Sequence, residues 1–159
     1  MKRPWNIVNP AVYSLITYDE NDILNMNICS YVSAVSLKPK LYLIAIDYST
    51  KTYKNLKQNS VVVLQLLSKS HLKIIRKLGK LSGYSYNKEK YLKSKRILND
   101  WEKHLVLKNV CALLELKKMS EINIEGDHAI FTFSVSKFKT LSEDSVLTFK
   151  DLIDNKIIL

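Results

Sequence analysis

The sequence predicts a small, mainly β protein in which the strands form a barrel and only short helices connect them. Apolar runs of strand length recur along the whole chain, whereas helical periodicity is confined to two short stretches. Strands and helices also lack the regular alternation of a doubly wound parallel sheet, which favours a barrel. The 159 residues, 47% of them hydrophobic, fit one domain, residues 1–159, around a single core.

Strands dominate the first half of the chain. Residues rich in β-branched, aliphatic and aromatic side chains predict strands at 11–17, 23–28, 41–46 and 61–67. The run at 41–46 lacks alternation, as expected for a strand that is covered on both faces. The polar segment 29–36 is interpreted either as an ordinary connection between strands or as part of a binding site.

Two short helices interrupt this pattern. Ser49 is the expected N-cap of a helix that runs through residue 56. Apolar residues then recur every three positions from 72 to 78, with Ser70 as the expected cap and Gly79 as a left-handed helix end. We expect no further helix.

The last part of the chain returns to strands after a segment without clear periodicity. Residues 80–104 are rich in Lys, Tyr and Asn and are interpreted as a basic excursion from the barrel. Residues 110–116 form an apolar run, 125–127 supply a turn, and 129–136 alternate between apolar and polar side chains. This pattern predicts a closing β-hairpin.

The positive charge is concentrated in one third of the chain. The net charge is +10, and residues 51–103 carry fourteen basic and three acidic side chains. Clustered charge is typical of proteins with an anionic partner, such as a nucleic acid or a small molecule that carries phosphate. A solvated lysine-rich surface explains the same composition.

Composition predicts a cytoplasmic protein that does not enter the membrane. Cys29 and Cys111 are too few for a disulfide framework and lie in apolar stretches, as reduced thiols do in the cytosol. Residues 1–10 lack the apolar core of a signal peptide, and no uncharged run is long enough to span a bilayer.

Most local motifs for cofactors and metals are missing from the sequence. There is no glycine-rich phosphate loop, no dinucleotide-binding fingerprint and no paired-cysteine spacing for zinc. The three histidines, His71, His104 and His128, have no neighbouring His, Cys or Glu at ligand spacing. We therefore predict no metal site.

Two polar segments are candidates for ligand binding. Residues 25–36 combine amides, hydroxyls and an aromatic ring, which suit a planar, hydrogen-bonding heterocycle. Residues 49–52 (Ser-Thr-Lys-Thr) begin a helix, where free N–H groups and the helix dipole favour an anion such as phosphate. The alternatives are a strand connection for the first segment and a simple helix cap for the second.

Four blocks of residues, taken in order, resemble the flavin reductase-like family, which includes flavoredoxins and NAD(P)H-dependent flavin reductases built on a split β-barrel. The resemblance covers nearly the whole chain. Its blocks are Asn25-x-Asn27-x-x-Ser30-Tyr31 leading to Val35-Ser36-x-x-Pro39, Ser49-x-x-Thr52-Tyr53-x-Asn55-Leu56, Arg76-Lys77-Leu78-Gly79 to Ser82-Gly83, and Gly126-Asp127-His128.

The resemblance implies a bound FMN and a homodimer with both flavins near the interface. It implies that Thr52 contacts the phosphate or ribityl chain, and that Lys88 neutralises the phosphate or the N1/O2 charge of reduced flavin. His128, the candidate catalytic residue, would orient the ring or receive nicotinamide. The full set of implied FMN-binding residues is Asn25, Met26, Asn27, Ile28, Cys29, Ser30, Tyr31, Ser33, Ser49, Thr50, Lys51, Thr52, Lys88 and His128.

The chain departs from the family pattern at three places. Many relatives have two prolines where this chain reads Lys38-Pro39-Lys40, and Asn27 stands where the family usually has Thr. The chain also ends soon after the last predicted hairpin, so we expect a reduced C-terminal lid. These differences bear on ring contacts and on substrate specificity.

The resemblance implies an oxidoreductase in which NAD(P)H reduces FMN and a second flavin, a metal complex or a redox protein accepts the electrons. A non-enzymatic electron carrier uses the same residues and remains an alternative. A second alternative is a nucleic-acid-binding barrel with Tyr84, Tyr86 and Tyr91 as stacking platforms. Cys29 is interpreted either as a packed thiol or as a redox group beside the flavin.

Overall fold

Nine strands and four α-helices make up residues 4–158, the part of the chain that this computed structural model describes. The strands are β1 (Tyr13–Tyr18), β2 (Leu24–Met26), β3 (Val32–Leu37), β4 (Lys40–Asp47), β5 (Val61–Leu66), β6 (Leu98–Trp101), β7 (His104–Leu107), β8 (Ala112–Ile122) and β9 (His128–Thr140). The helices are α1 (Lys51–Gln58), α2 (Leu72–Lys80), α3 (Lys88–Ser94) and α4 (Phe149–Asp154). The prediction of a mainly β fold is confirmed.

Seven strands form one antiparallel sheet that curves into a barrel. Their order is β2-β1-β5-β8-β9-β4-β3, and β6 and β7 form a separate hairpin. The two edge strands, β2 and β3, are consecutive in sequence and are joined by residues 27–31, which we call the closing segment. Within it, Cys29 exchanges two backbone hydrogen bonds with Tyr13 of β1, at 2.8 and 2.9 Å. The closing segment therefore brings the two edges of the sheet together.

Two apolar clusters stabilise this arrangement. One lies among β4, β5, β8, β9 and α1, and its fully buried members include Leu64, Phe131 and Phe133. The other lies where α2, α3 and the β6–β7 hairpin cover the opposite face of β1 and β5. Strands β1 and β5 are thus buried on both faces, which explains their continuous apolar sequence.

The expectation that the strand at 41–46 is covered on both faces is wrong. In β4, Ile44 and Ile46 are buried, whereas Leu43 and Ala45 point the other way and remain half-buried. The helices that pack on the second face of the sheet cover β1 and β5 and not β4. The outer face of β4 borders a groove described below.

Several elements were not predicted from the sequence. Residues 32–37 form the edge strand β3, although most of its side chains are exposed, because its backbone pairs with β4. The basic excursion at 80–104 contains helix α3 and the β6–β7 hairpin. Helix α4 near the C-terminus makes a fourth helix where two were expected.

The helix caps also differ from the predictions. Thr50, not Ser49, caps α1, because Thr50 Oγ1 accepts a hydrogen bond from the N–H of Tyr53 at 3.1 Å. Ser49 instead donates from Oγ to Asp47 Oδ1 at 2.7 Å. Ser70 lies inside a short 3-10 helix, and Gly79 lies within α2 in ordinary helical geometry.

The helices of the described residues 4–158 are all too short or too polar to cross a bilayer.

Candidate functional site

A cavity of about 440 Å³ lies beside the closing segment. Six further parts of the chain complete its wall: the middle of β2, the end of β4, the start of α1, the end of α2 with the loop that follows it, the first residue of α3 and the first residue of β9. Helix α2 approaches the closing segment at Gly79, where an added Cβ atom would make an ordinary van der Waals contact, 3.4 Å from Ile28 Cγ1. The cavity thus forms where the barrel closes.

The structure brings most of the predicted site residues together around this cavity. Those in its wall are Asn25, Asn27, Ile28, Cys29, Ser30, Tyr31, Ser49, Thr50, Lys51, Thr52, Lys88 and His128. Met26 does not reach it, because its side chain is fully buried in the core, where its sulfur lies 3.6 Å from Gln65 Nε2. Ser33 lies outside the cavity, on the edge strand.

The sequence analysis missed part of the wall. Ala45, Ile46 and Asp47 at the end of β4 line the cavity, as do residues 78–83. The signal for Asp47 is its place directly after an apolar strand and two residues before Ser49. Residues 78–83 belong to a block that carries the family resemblance, but they were not assigned to the site.

Two buried polar side chains, Asn25 and Thr52, tie β2 to the start of α1. Asn25 Nδ2 donates to Thr52 Oγ1 at 3.1 Å, and both residues are almost fully buried. The other end of the Asn25 amide faces Gly83, where a Cβ atom would lie only 2.3 Å from Asn25 Oδ1. Gly83 therefore lets the loop after α2 contact this pair.

Asn27 is held by the barrel itself. Its Oδ1 atom accepts a hydrogen bond from the backbone N–H of Leu15 in β1, at 3.0 Å. The amide oxygen is thus engaged in the closure of the sheet, and the amide nitrogen is the part of the side chain left for a ligand.

Lys88 is a buried cation in the cavity wall. Its side chain is only 5% exposed, and Nζ donates to the carbonyl oxygen of Leu78 at 2.6 Å. Among residues 4–158 no carboxylate lies within 4 Å of this ammonium group. Burial lowers the pKa of Lys88 to about 8. An anion in the cavity would supply the counter-charge that the protein does not.

Lys51 is already paired. Its Nζ atom forms an ion pair with Asp19 Oδ2 at 2.8 Å. Partial burial acts against ionisation of Asp19, but the hydrogen bonds from Lys51 and from the backbone of Ile23 outweigh it and lower the pKa of Asp19. The charge of Lys51 is thus balanced by a carboxylate of the chain, whereas that of Lys88 is not.

Another part of the cavity wall contains His128, which has acidic and aromatic neighbours. His128 Nδ1 lies 2.6 Å from Asp127 Oδ1, and the Tyr31 ring meets the imidazole edge-on, with 5.3 Å between ring centroids. Nearby, two hydrogen bonds from Ser49 lower the pKa of Asp47. The cavity wall therefore contains a buried cation, Lys88, and a carboxylate, Asp47, near His128, while Asp127 contacts His128 from outside the wall.

Cys29 lies in the closing segment. Burial raises the pKa of its thiol to about 12, so the protonated form is maintained at neutral pH. Cys29 is only half-buried and lines the cavity, but a neutral thiol is a poor nucleophile. This geometry favours the packing role of Cys29 over the redox role.

A shallow side groove opens next to the cavity mouth. Tyr31, Ser33, Leu43, Ile124 and Ile130 line it, and Tyr31 and His128 belong to both the groove and the cavity. Tyr31 is 63% exposed and Ile124 46% exposed, which is unusual for large apolar side chains. The cavity is thus bordered on one side by an uncovered, largely apolar surface.

Comparisons with known proteins agree with this architecture. The FMN-binding protein from Thermus thermophilus superimposes with a TM-score of 0.74 at 16% identity, covering 91% of this chain and 78% of that one. Flavoredoxin from Methanosarcina acetivorans gives 0.74 at 18% identity, with 91% and 75% covered. The flavin reductase component BorF of a bacterial two-component tryptophan halogenase gives 0.76 at 12% identity, with 89% and 86% covered.

These identities are low, so the structural similarity establishes the fold alone: a split β-barrel, as the resemblance implied. No curated protein matches the chain in sequence. The family model for the flavin reductase like domain, however, matches residues 9–152, which is nearly the whole sequence. The chain therefore belongs to the flavin reductase-like family.

Proposed function

We propose that this protein binds FMN in the cavity beside the closing segment and acts as an NAD(P)H-dependent flavin reductase. The observation that carries the proposal is Lys88, a buried ammonium group in the wall of a polar cavity with no carboxylate partner in residues 4–158. Membership in the flavin reductase-like family supports the choice of ligand. Several structurally similar proteins are named as FMN-binding or as flavin reductases.

The residues of the cavity fit such a ligand. The volume of about 440 Å³ is within the usual range of small-molecule pockets. Lys88 and the first N–H groups of α1 are suited to the phosphate, because cations and helix N-termini both favour anions. The closing segment provides backbone donors for the ring edge, and Ile28, Ile46 and Leu78 provide apolar contact.

Lys88 and His128 in the cavity wall have separate roles in this proposal. A bound flavin supplies the hydride and electron chemistry. Lys88 anchors the anionic part and sets the direction in which the ligand lies. If His128 donates from Nδ1 to Asp127, its Nε2 atom is an acceptor. Asp47 in the wall and Asp127 beside His128 place negative charge near the imidazole, which disfavours a phosphate group there.

A first experiment tests the cofactor. The protein is purified without added flavin, its visible spectrum is recorded, and any released chromophore is identified by mass. Apoprotein is then titrated with FMN, FAD and riboflavin by fluorescence. We expect FMN to bind well over tenfold more tightly than riboflavin, because riboflavin lacks the phosphate. Equal affinity for FMN and riboflavin contradicts the assignment of the phosphate to Lys88.

The variant Lys88→Met tests the role of the ammonium group directly. It removes the buried ammonium group and should weaken FMN binding by one to two orders of magnitude, while leaving riboflavin binding nearly unchanged. Lys90→Met, on the exposed side of the same helix, is the matched control and should bind FMN as the wild type does.

A second experiment tests the electron donor. Holoprotein is mixed anaerobically with NADH or NADPH, and the flavin absorbance is followed by stopped flow. Rapid bleaching by either nucleotide supports a reductase. Flavin that stays oxidised with both, yet is reduced by dithionite, identifies the protein as an electron carrier instead.

We further propose that the protein is a homodimer in which a second copy covers the side groove. The groove is lined by apolar side chains and continues into the cavity mouth, so a second copy seated there would complete the wall of the site. Sedimentation velocity should give a dimer for the wild type and a monomer for Ile124→Asp; a wild-type monomer at micromolar concentration refutes the proposal.

A further inference from the structure

A basic surface extends from the cavity along helices α2 and α3. Between residues 61 and 99 the sequence has ten Lys and Arg side chains and a single acidic one, Glu89. Glu89 is occupied, because it accepts hydrogen bonds from Lys93 and from the backbone N–H of Leu24. The excess positive charge of the chain is therefore concentrated on one surface and not distributed around the barrel.

Most of these cations are exposed and lack an acidic partner. They are Lys73, Arg76, Lys77, Lys80, Lys90, Lys95 and Arg96, none of which has a carboxylate within 4 Å in the described part of the chain. Some exposed lysines elsewhere have an acidic partner, as Lys57 has in Glu121 and Lys137 in Glu102. The basic surface thus carries a positive charge that nearby carboxylates do not balance.

Two tyrosines, Tyr86 and Tyr91, contact lysines of this surface. Lys77 Nζ lies 5.7 Å from the centroid of the Tyr86 ring, and Lys95 Nζ lies 5.9 Å from that of Tyr91. The two rings pack against each other with 6.0 Å between centroids. This chain of contacts connects α2 to α3, and Lys80, at the end of α2, connects the surface to the cavity wall.

We propose that this basic surface is the docking site for an acidic protein that carries a one-electron redox centre. The inference rests on the proposed function, since it assigns the electron acceptor of the same cavity. Complementary charge steers association and orients a partner, and contacts beside the cavity mouth place its redox centre near the ring. The surface lies on α2 and α3, away from the groove proposed for the second copy.

The arrangement of the tyrosines favours a protein over a nucleic acid. Single-stranded nucleic acids need exposed aromatic faces on which bases stack. Tyr86 and Tyr91 are only half-exposed, and their rings are occupied by each other and by Lys77 and Lys95. Tyr84 is more exposed than the other two, and its hydroxyl donates a hydrogen bond to the carbonyl oxygen of Thr50.

The binding test uses two one-electron carriers of similar size and opposite charge, namely acidic plant plastocyanin and basic cytochrome c. Fluorescently labelled carriers are titrated with flavin-free protein at 10 and 150 mM salt. We expect plastocyanin to bind at 10 mM salt, with affinity at least tenfold lower at 150 mM, and cytochrome c not to bind. Similar binding of the two carriers overturns the proposal.

Paired variants locate the contact. Lys77→Gln with Lys95→Gln should weaken plastocyanin binding at least threefold at 10 mM salt. Lys103→Gln with Lys117→Gln makes the same change of charge at exposed lysines outside the surface and should have little effect. Equal losses in the two double variants overturn the proposal. So does tighter binding of a labelled dT20 strand than of plastocyanin, which identifies a nucleic acid as the partner.

An electron-transfer test links the surface to the cavity. Photoreduced holoprotein is mixed with oxidised plastocyanin, and we expect the second-order rate constant to fall at least threefold in the Lys77/Lys95 variant only. The binding test uses flavin-free protein, so its result does not depend on whether the protein takes up FMN. Docking without electron transfer would instead contradict the link to the flavin site.

Discussion

Lys88 should make the stability of this protein depend on pH in the alkaline range. Burial lowers its pKa from 10.5 to about 8. Between these values the unfolded chain retains a proton that the folded protein has released, so the free energy of unfolding rises with pH. Below pH 8 both states are protonated, and the folded protein bears the full cost of the buried charge. At about 1.4 kcal/mol per pH unit, that cost is about 3 kcal/mol.

Replacing Lys88 with Met removes this titration. The free energy of unfolding of the wild type, minus that of the variant, should rise by about 2 to 3 kcal/mol between pH 7 and pH 10. At pH 7 the variant should be at least as stable as the wild type, although Leu78 loses a hydrogen-bond donor worth about 1 kcal/mol. A more stable protein that binds FMN poorly is the combined result expected.

Urea unfolding at pH 7, 8, 9 and 10, followed by circular dichroism, measures the effect. Lys90→Met is the control, and its stability should follow that of the wild type at every pH. A difference between wild type and Lys88→Met that stays constant within about 0.5 kcal/mol from pH 7 to pH 10 refutes the reasoning, because the buried amine would then bind protons equally in both states.

Three further predictions concern the cavity wall. Gly83→Ala should destabilise the protein by about 1 to 3 kcal/mol in urea unfolding and weaken FMN binding, because the added Cβ would overlap Asn25. Gly126→Ala is the control and should have no effect, because the nearest atom would lie 3.8 Å from its Cβ. Thr52→Val should lower the free energy of unfolding by about 1 to 3 kcal/mol, because it leaves the Asn25 amide unpaired, and Thr52→Ser should keep most of that stability. Equal losses of stability in the two variants would show that the hydroxyl is unimportant. Cys29 should not react with a thiol reagent at pH 8 until the protein is unfolded, and Cys29→Ser should retain the turnover of the wild type; rapid labelling of the native thiol contradicts its raised pKa.

Periodicity was enough to predict the core of the fold, because buried strands carry a continuous or alternating apolar pattern. It failed for β3, whose exposed side chains give no such pattern although its backbone pairs with β4 on both sides of a bulge between Ala34 and Ser36. It failed also for α3, where the exposed lysines hide a helix that buries only Leu92 and Lys88. In both cases contacts distant in sequence determine the structure, and these leave no local signal.

The candidate site was predicted in greater part by resemblance than by pattern. One error was avoidable from strand geometry: Asn25 of β2 and Asn27, directly after β2, lie on either side of Met26, and neighbouring side chains of an extended chain point to opposite faces. Met26 therefore had to face the core. The burial of Lys88, in contrast, depends on α2 and α3 packing together, which the sequence does not reveal.

The two edge strands of the sheet, β2 and β3, are consecutive in sequence. The barrel can therefore open only along the line between them. Five residues span that line, and most of the ligand contacts proposed above belong to them or face them. A bound ligand would therefore hold the two edges of the sheet together. The stabilisation of the folded protein by the ligand would grow with ligand concentration. In hydrogen exchange, the amides of both edge strands should then slow together when FMN is added, including those that never touch it.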